Sequence, residues 1–479
     1  MMEWQLGPND IIALMPYVSL VVGAFVVLLY SFLGSTEKRI GYAVISSIAA
    51  IVSFYFLYLN RELQFLAWSE ILVHDFSSYA FSAVILLLLI PATWVHACSS
   101  SIGDRPSGIC SLLLLSACGG VLMAHSNHLL MFFVALELMS LPLYVITAIG
   151  NDPKASEAGF KYFLLGSISS AIFIYGVALT WSGFNTLWIS DIAQILVADF
   201  GHDLSGSQWA GFALMFVGLF FKLGVFPFHL WIVDVYQAAP SHLVAWMSGA
   251  VKAATFALAI RLMSLLPSEY HARWIAVLTM FAVISMFVGS IGGLFQQNLK
   301  RLLGYSTVAH GGYACIALIA VLFSSAFEAS KILSFYLLVY GFSSMAAFTV
   351  CAILEENHIG LDSGNLKGLS RKSPAVAIVF SIALLSLAGV PPFGGFFAKF
   401  QLFMFSLSKG LLFVTLMAVL SSVIALGYYL SLLVNMFFQD GGASRLSTAG
   451  VNRFVLGLAW VLIVLLGVIP GSISYLVWG

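Results

Sequence analysis

Apolar runs of about twenty residues recur along nearly the whole chain, and a helix of that length spans roughly 30 Å of hydrocarbon. They fall at approximately 11–33, 41–59, 76–97, 108–124, 128–149, 160–181, 208–238, 241–265, 274–296, 302–323, 330–354, 374–406, 411–438 and 453–473. In lipid each backbone amide must find its partner within its own segment, so the runs read as helices. The expected fold is an all-α polytopic membrane protein of about fourteen transmembrane helices. Of 479 residues 61% are hydrophobic and only 8% charged, a balance foreign to soluble globular proteins. The start, Met1 to Asp10, is acidic and has no small-residue cleavage site, so the first run reads as a retained helix.

Loop charges set the expected orientation. Eleven Lys and Arg residues follow odd-numbered runs and five follow even-numbered ones: Arg61, Arg261, Arg273, Lys331 and Lys409. The odd loops are therefore expected in the cytoplasm, with both termini outside.

Two runs, 208–238 and 374–406, would each reach roughly 45–50 Å as single helices. Each carries a breaker: Gly224-Val225-Phe226-Pro227-Phe228 in one, Gly389-Val390-Pro391-Pro392-Phe393 in the other. Proline removes a backbone donor and glycine permits unwinding, so both helices are expected to be discontinuous at mid-membrane. The shared G-V-x-P-F pattern is offset by 165 residues, and the helix after each break echoes its counterpart at an offset of 168. The broken spans are the seventh and twelfth, an odd number of helices apart, so the copies are expected to be inverted. Paired broken helices in an inverted bundle are a transporter architecture. The expected division is a single membrane domain with N-terminal helices in 1–107, a first five-helix repeat in 108–265, a second in 274–438 and a last helix at 453–473.

Lys161, Lys222, Lys252, Lys399 and Glu137 lie inside runs that are otherwise lipid-soluble. A charge at mid-bilayer depth costs roughly 2.5 kcal/mol or more, so it persists where it is partnered, hydrated or functional. Lys222 precedes its break and Lys399 follows the other. Inversion would bring both to the same side of their breaks, as parts of a lateral row. Lys252 shares a helix face with Ser248 and Thr255, and His310 shares one with Ser306 and Tyr313. Lysine suits proton transfer because burial favours its neutral form while a nearby carboxylate favours the charged one. Glu137 is the acidic group placed to modulate Lys222. Competing structural readings exist: a static ion pair for any of these groups, and snorkelling to the interface for Lys161. His229 could instead satisfy freed backbone groups, and Asp234 could anchor a helix end. His125, His128 and His242 sit at run edges and read as interfacial.

The five cysteines form no CxxC or Cys/His cluster, which argues against a haem, iron–sulfur or zinc site in this chain. No glycine-rich nucleotide loop is present, and the 20 basic residues balance 20 acidic ones, giving no sign of a nucleic-acid partner.

The segment Phe221-Lys222-Leu223-Gly224-Val225-Phe226-Pro227-Phe228-His229-Leu230-Trp231, followed by Asp234-Val235-Tyr236-Gln237-Ala238-Ala239-Pro240, resembles the antiporter-like membrane subunits of respiratory complex I. Those subunits share ancestry with multisubunit sodium/proton antiporters. Leu136-Glu137-Leu138-Met139-Ser140-Leu141-Pro142 and the lysine of Gly394-Gly395-Phe396-Phe397-Ala398-Lys399 narrow the resemblance to the N-type branch, since the M-type carries glutamate where Lys399 stands. The resemblance covers essentially the whole chain. It implies that Glu137, Lys222, Lys252 and Lys399 are the family's proton-transferring groups, with Lys161 and His310 on the connecting axis. One departure is Ala238, where the family usually has glycine.

The resemblance also implies a proton-translocating membrane-arm subunit in the bacterial inner membrane, flanked by other antiporter-like and small membrane subunits of the complex. NADH, FMN, iron–sulfur clusters and quinone chemistry would belong to those partners, with no cofactor and no metal held here. Two alternatives stay open: a cation/proton antiporter subunit, and a non-pumping membrane scaffold.

Overall fold

The computed structural model describes residues 8–32, 39–61, 63–98, 106–149, 153–198, 204–441, 445–447 and 450–469. Among the described residues the architecture is helical apart from one small hairpin. In chain order the helices are α1 (Pro8–Phe32), α2 (Arg39–Leu59), α3 (Phe76–Cys98), α4 (Pro106–His125), α5 (Leu129–Ala148) and α6 (Pro153–Phe184). Then come α7 (Ile189–Ala198), α8 (Gly206–Leu223), α9 (Leu230–Ala238), α10 (Ser241–Trp246), α11 (Lys252–Met263), α12 (His271–Leu294) and α13 (Leu299–Val321). The chain continues with α14 (Ala326–Glu356), α15 (Leu369–Lys372), α16 (Pro374–Ala388), α17 (Gly394–Ser408), α18 (Leu412–Phe438) and α19 (Gly450–Val468).

A π-helical turn at Met247–Val251 joins α10 to α11, making one continuous helix from Ser241 to Met263. That helix and the middle of α14 are buried, whereas α1, α2, α12 and α18 turn large apolar side chains such as Leu29 and Val423 outward. Outward apolar faces are what lipid demands, and they would be unstable in water. Among the described residues, twelve helices are long and apolar enough to cross a membrane. The expected fourteen runs do not all appear as uninterrupted helices of that length. The break after Ala388 leaves α16 and α17 short, and the apolar stretch of α19 is short as well.

The strands β1 (Phe65–Ala67) and β2 (Leu72–His74) pair antiparallel with Phe65 opposite His74. The hairpin packs beside α1, α3 and α4. Just after it, Asp75 accepts from Arg261 at 2.9 Å, and Arg261 also donates to the Ala124 carbonyl. Burial alone would raise the Asp75 carboxyl, but Arg261 and the Ser78 donors outweigh it and hold it below the usual carboxylate value.

Candidate functional site

Both expected breaks are present, and they are built alike. α8 ends at Leu223, and Gly224 follows in the left-handed conformation (φ 64°). Its N–H returns to Phe220 and Phe221, while the Val225 N–H reaches the Phe220 carbonyl. At the second break α16 ends at Ala388, Gly389 has φ 83°, and the Val390 N–H reaches the Leu385 carbonyl. This is the Schellman closure, in which glycine avoids the Cβ clash of a left-handed residue and orphan carbonyls regain donors. Each cap is followed by a cis X-Pro bond, Phe226-Pro227 and Pro391-Pro392.

The lysines sit around these breaks. Lys222, in the last turn of α8 and 2% exposed, donates to Ser140 Oγ at 2.8 Å and to Tyr144 Oη at 2.6 Å. Its ammonium lies 5.0 Å from the Tyr144 ring centre. Ser140 and Tyr144 project from α5, as does Glu137. Glu137 is half-buried and lies within electrostatic reach of Lys222, yet no direct ion pair joins them. The hydroxyls of α5 hold the cation instead.

Lys252 opens α11 directly after the π turn and is buried. Its Nζ donates to the Thr307 carbonyl of α13 and stands 5.5 Å from the Tyr340 ring centre. Tyr340 in turn donates to Thr307 Oγ1 at 3.1 Å. Gly311 matters here: a Cβ at that position would lie 3.3 Å from Lys252 Nζ and 3.5 Å from the Leu223 carbonyl oxygen. The glycine thus brings the Lys252 ammonium close to the first break.

His310 is buried against α14, with Nδ1 2.7 Å from Tyr336 Oη and its ring centre 4.6 Å from that of Tyr340, the planes tilted by 31°. Beyond it lies Lys399 on α17, which donates to the Ala388 carbonyl (3.1 Å) and Ser422 Oγ (2.9 Å). A small cavity lined by His310, Tyr336, Tyr340, Ser343, Ser386 and Lys399 joins the two residues. The expected neighbours contribute less directly. Ser306 bonds Tyr429 and Thr255 bonds its own helix, while Ser248 accepts from Ser344 at 2.7 Å.

Lys161 is elsewhere. Its side chain is 53% exposed and pairs with Glu157 at 2.5 Å, lining a surface cleft with Lys154, Asp234 and Gln237. More than two turns into α6, it lies on the exposed face four residues after Glu157, and the structure does not join it to the row. Asp234 pairs with Arg301 at 3.0 Å, also near the surface. His125 and His242, which read as interfacial from their positions at run edges, are both about 1% exposed. Among the described residues no group of three or more His, Cys, Asp or Glu is placed to hold a metal.

Sequence reasoning missed the hydroxyl partners: Tyr144, Tyr336, Tyr340, Thr307 and Ser422. Tyr336 and Tyr340 stand one turn apart in an otherwise apolar run, a spacing that would have exposed a polar stripe on α14.

Paired broken helices with buried cations at the breaks put this fold among the antiporter-like membrane proteins. The family described as NADH:quinone oxidoreductase/Mrp antiporter, transmembrane, matches residues 126–425. NADH-quinone oxidoreductase subunit N of Bdellovibrio bacteriovorus is 35% identical, covering 98% of each chain. A chain of respiratory complex I from Thermus thermophilus with bound aureothin superimposes with a TM-score of 0.80 at 30% identity, over 96% of this chain and 98% of that one. A chain of the Mrp complex from Dietzia sp. reaches a TM-score of 0.80 at 20% identity, over 98% and 99% of the two chains, a likeness of fold alone. The chain belongs to the subunit N family of NADH-quinone oxidoreductases, the antiporter-like membrane subunits of respiratory complex I.

Proposed function

We propose that this chain translocates protons across the bacterial inner membrane, driven by quinone reduction in partner subunits that carry the NADH, flavin and iron–sulfur chemistry. Glu137, Lys222, Lys252, His310 and Lys399 are the titrating groups in this reading. Lys161, exposed and tied to Glu157, is at most peripheral to it.

One observation carries the proposal. Lys222 and Lys399 are buried beside the breaks and Lys252 just after the π turn, and every hydrogen-bond acceptor that holds them is a neutral hydroxyl or carbonyl. An amine and an ammonium both donate to such acceptors, so neither protonation state is locked. Among the described residues no carboxylate holds these lysines directly, in contrast to the ion pairs Arg261–Asp75 and Lys300–Glu355. With balanced alternatives, movement of a distant charge such as Glu137 can decide whether Lys222 keeps its proton. The tyrosine and serine hydroxyls between Lys252 and Lys399 supply donors and acceptors along which a proton can pass.

The test is Lys222→Met in the assembled complex, which keeps stem length without a titrating group. Proton translocation driven by NADH, in vesicles holding equal amounts of complex, should fall at least severalfold. Translocation equal to the parent would leave the chain a scaffold.

A further inference from the structure

One pair of buried groups lies outside the lysine row. His96, near the end of α3, and His242, in the first turn of α10, face each other with ring centres 4.2 Å apart at 78°. Each residue is 1% exposed. None of their four ring nitrogens has a hydrogen-bond partner among the described residues. An unpaired buried polar group costs about 1–3 kcal/mol, so two such imidazoles side by side call for a reason.

Their surroundings supply one. Lys300 on α13 donates to Glu355 at 2.8 Å and to the Ala239 carbonyl at 2.7 Å, and Glu355 on α14 also accepts from the Ser241 N–H. Glu355 and Lys300 both act electrostatically on His242, and Cys351, one turn from Glu355, feels the same two charges. The Glu355 side chain is 26% exposed, whereas that of Lys300 is 5% exposed. The cluster thus grades from a partly exposed carboxylate to fully buried imidazoles. Inward from His242, the same continuous helix carries Ser248, bonded to Ser344, and then Lys252. The π turn at Met247–Val251 lies between them, a distortion that recurs at functional sites. The loops at this end follow odd-numbered runs, the side that the loop-charge bias reads as cytoplasmic.

We propose that His96 and His242 form a proton-loading station, taking protons from water at the Glu355–Lys300 end and passing them toward Lys252. The proposal rests on the proton-translocating reading of the lysine row. A neutral imidazole accepts a proton at one ring nitrogen and releases one from the other, so the pair can hand protons on without net change.

The test compares His242→Phe and His96→Phe in the full complex, since phenylalanine keeps the ring packing and removes both nitrogens. Proton translocation is measured across a pH series in vesicles with equal assembled complex, beside Lys222→Met. A lost loading station should slow translocation most on the alkaline side, where protons are scarce, with recovery toward the parent on the acid side. Parent-like translocation by both Phe variants at every pH, while Lys222→Met is defective, would overturn the station and leave the lysine row standing. A loss independent of pH, or failure of both variants to assemble, would assign the pair to packing and equally overturn it. If Lys222→Met were normal too, the underlying reading would fall as well.

Discussion

The two helix breaks share a cap but part company just beyond it. The 165-residue offset sets Phe221 against Ser386, Leu230 against Gly395, and Asp234 against Lys399. At the first break the Phe221 carbonyl takes the Trp231 indole N–H at 2.8 Å, and Leu230 points outward, 65% exposed. At the second, Gly395 lies so close to Ser386 that a Cβ would fall 1.7 Å from its carbonyl oxygen, and the Gly395 N–H donates to Ser386 Oγ. That close return brings Lys399 back onto the Ala388 carbonyl, an orphan of its own span. Lys222 stands before its break and finds hydroxyls on a different helix. One closure motif thus positions a buried cation in two ways, either by tertiary hydroxyls or by the carbonyls that the break itself frees.

Gly395→Ala should break that contrast with the largest effect. Its methyl group has nowhere to go against backbone, so a destabilisation of about 3 kcal/mol is expected, at the upper end for overpacking. Leu230→Ala, at the matching position, should stay within about 0.5 kcal/mol, as for most exposed sites. The thermal midpoint and yield of assembled complex in membranes would compare the two. Similar losses at both positions would mean that the breaks return alike. A smaller effect is expected from Trp231→Phe, about 1 kcal/mol for a single lost hydrogen bond. The Phe221 carbonyl keeps the Gly224 N–H, so the cap should survive and only the first break should loosen. Amide exchange at Gly224 and Gly389 would read this directly, with faster exchange confined to Gly224.

The breaks were legible in the sequence because glycine and proline announce them, and so were the lysines, since a charge inside an apolar run stands out. Their partners were hidden. Tyr144 and Ser140 meet Lys222 from a distant span, and nothing in one helix says which other will pack against it. The same blindness hid how Lys222 is held: Glu137 is in electrostatic reach, as expected, but Ser140 and Tyr144 take the ammonium. Of the two readings open for Lys161, its exposed pairing with Glu157 on α6 fits the interfacial one: α6 begins at Pro153, before its apolar run. The hairpin and α7 fell in stretches too short or too polar for a membrane pattern, and local pairing rather than lipid decides their structure. His242 looked interfacial by position, but the packing of α3 and α14 closes over it.

The central claim is that Lys252 and Lys399 work by exchanging a proton rather than by holding a charge. Arginine keeps the charge but is effectively never deprotonated, so it separates the two roles. Lys252→Arg and Lys399→Arg would be measured for NADH-driven proton translocation in vesicles containing equal amounts of assembled complex. Both variants should assemble and both should translocate far fewer protons than the parent. Arginine variants that pump like the parent would contradict the account and make these lysines structural.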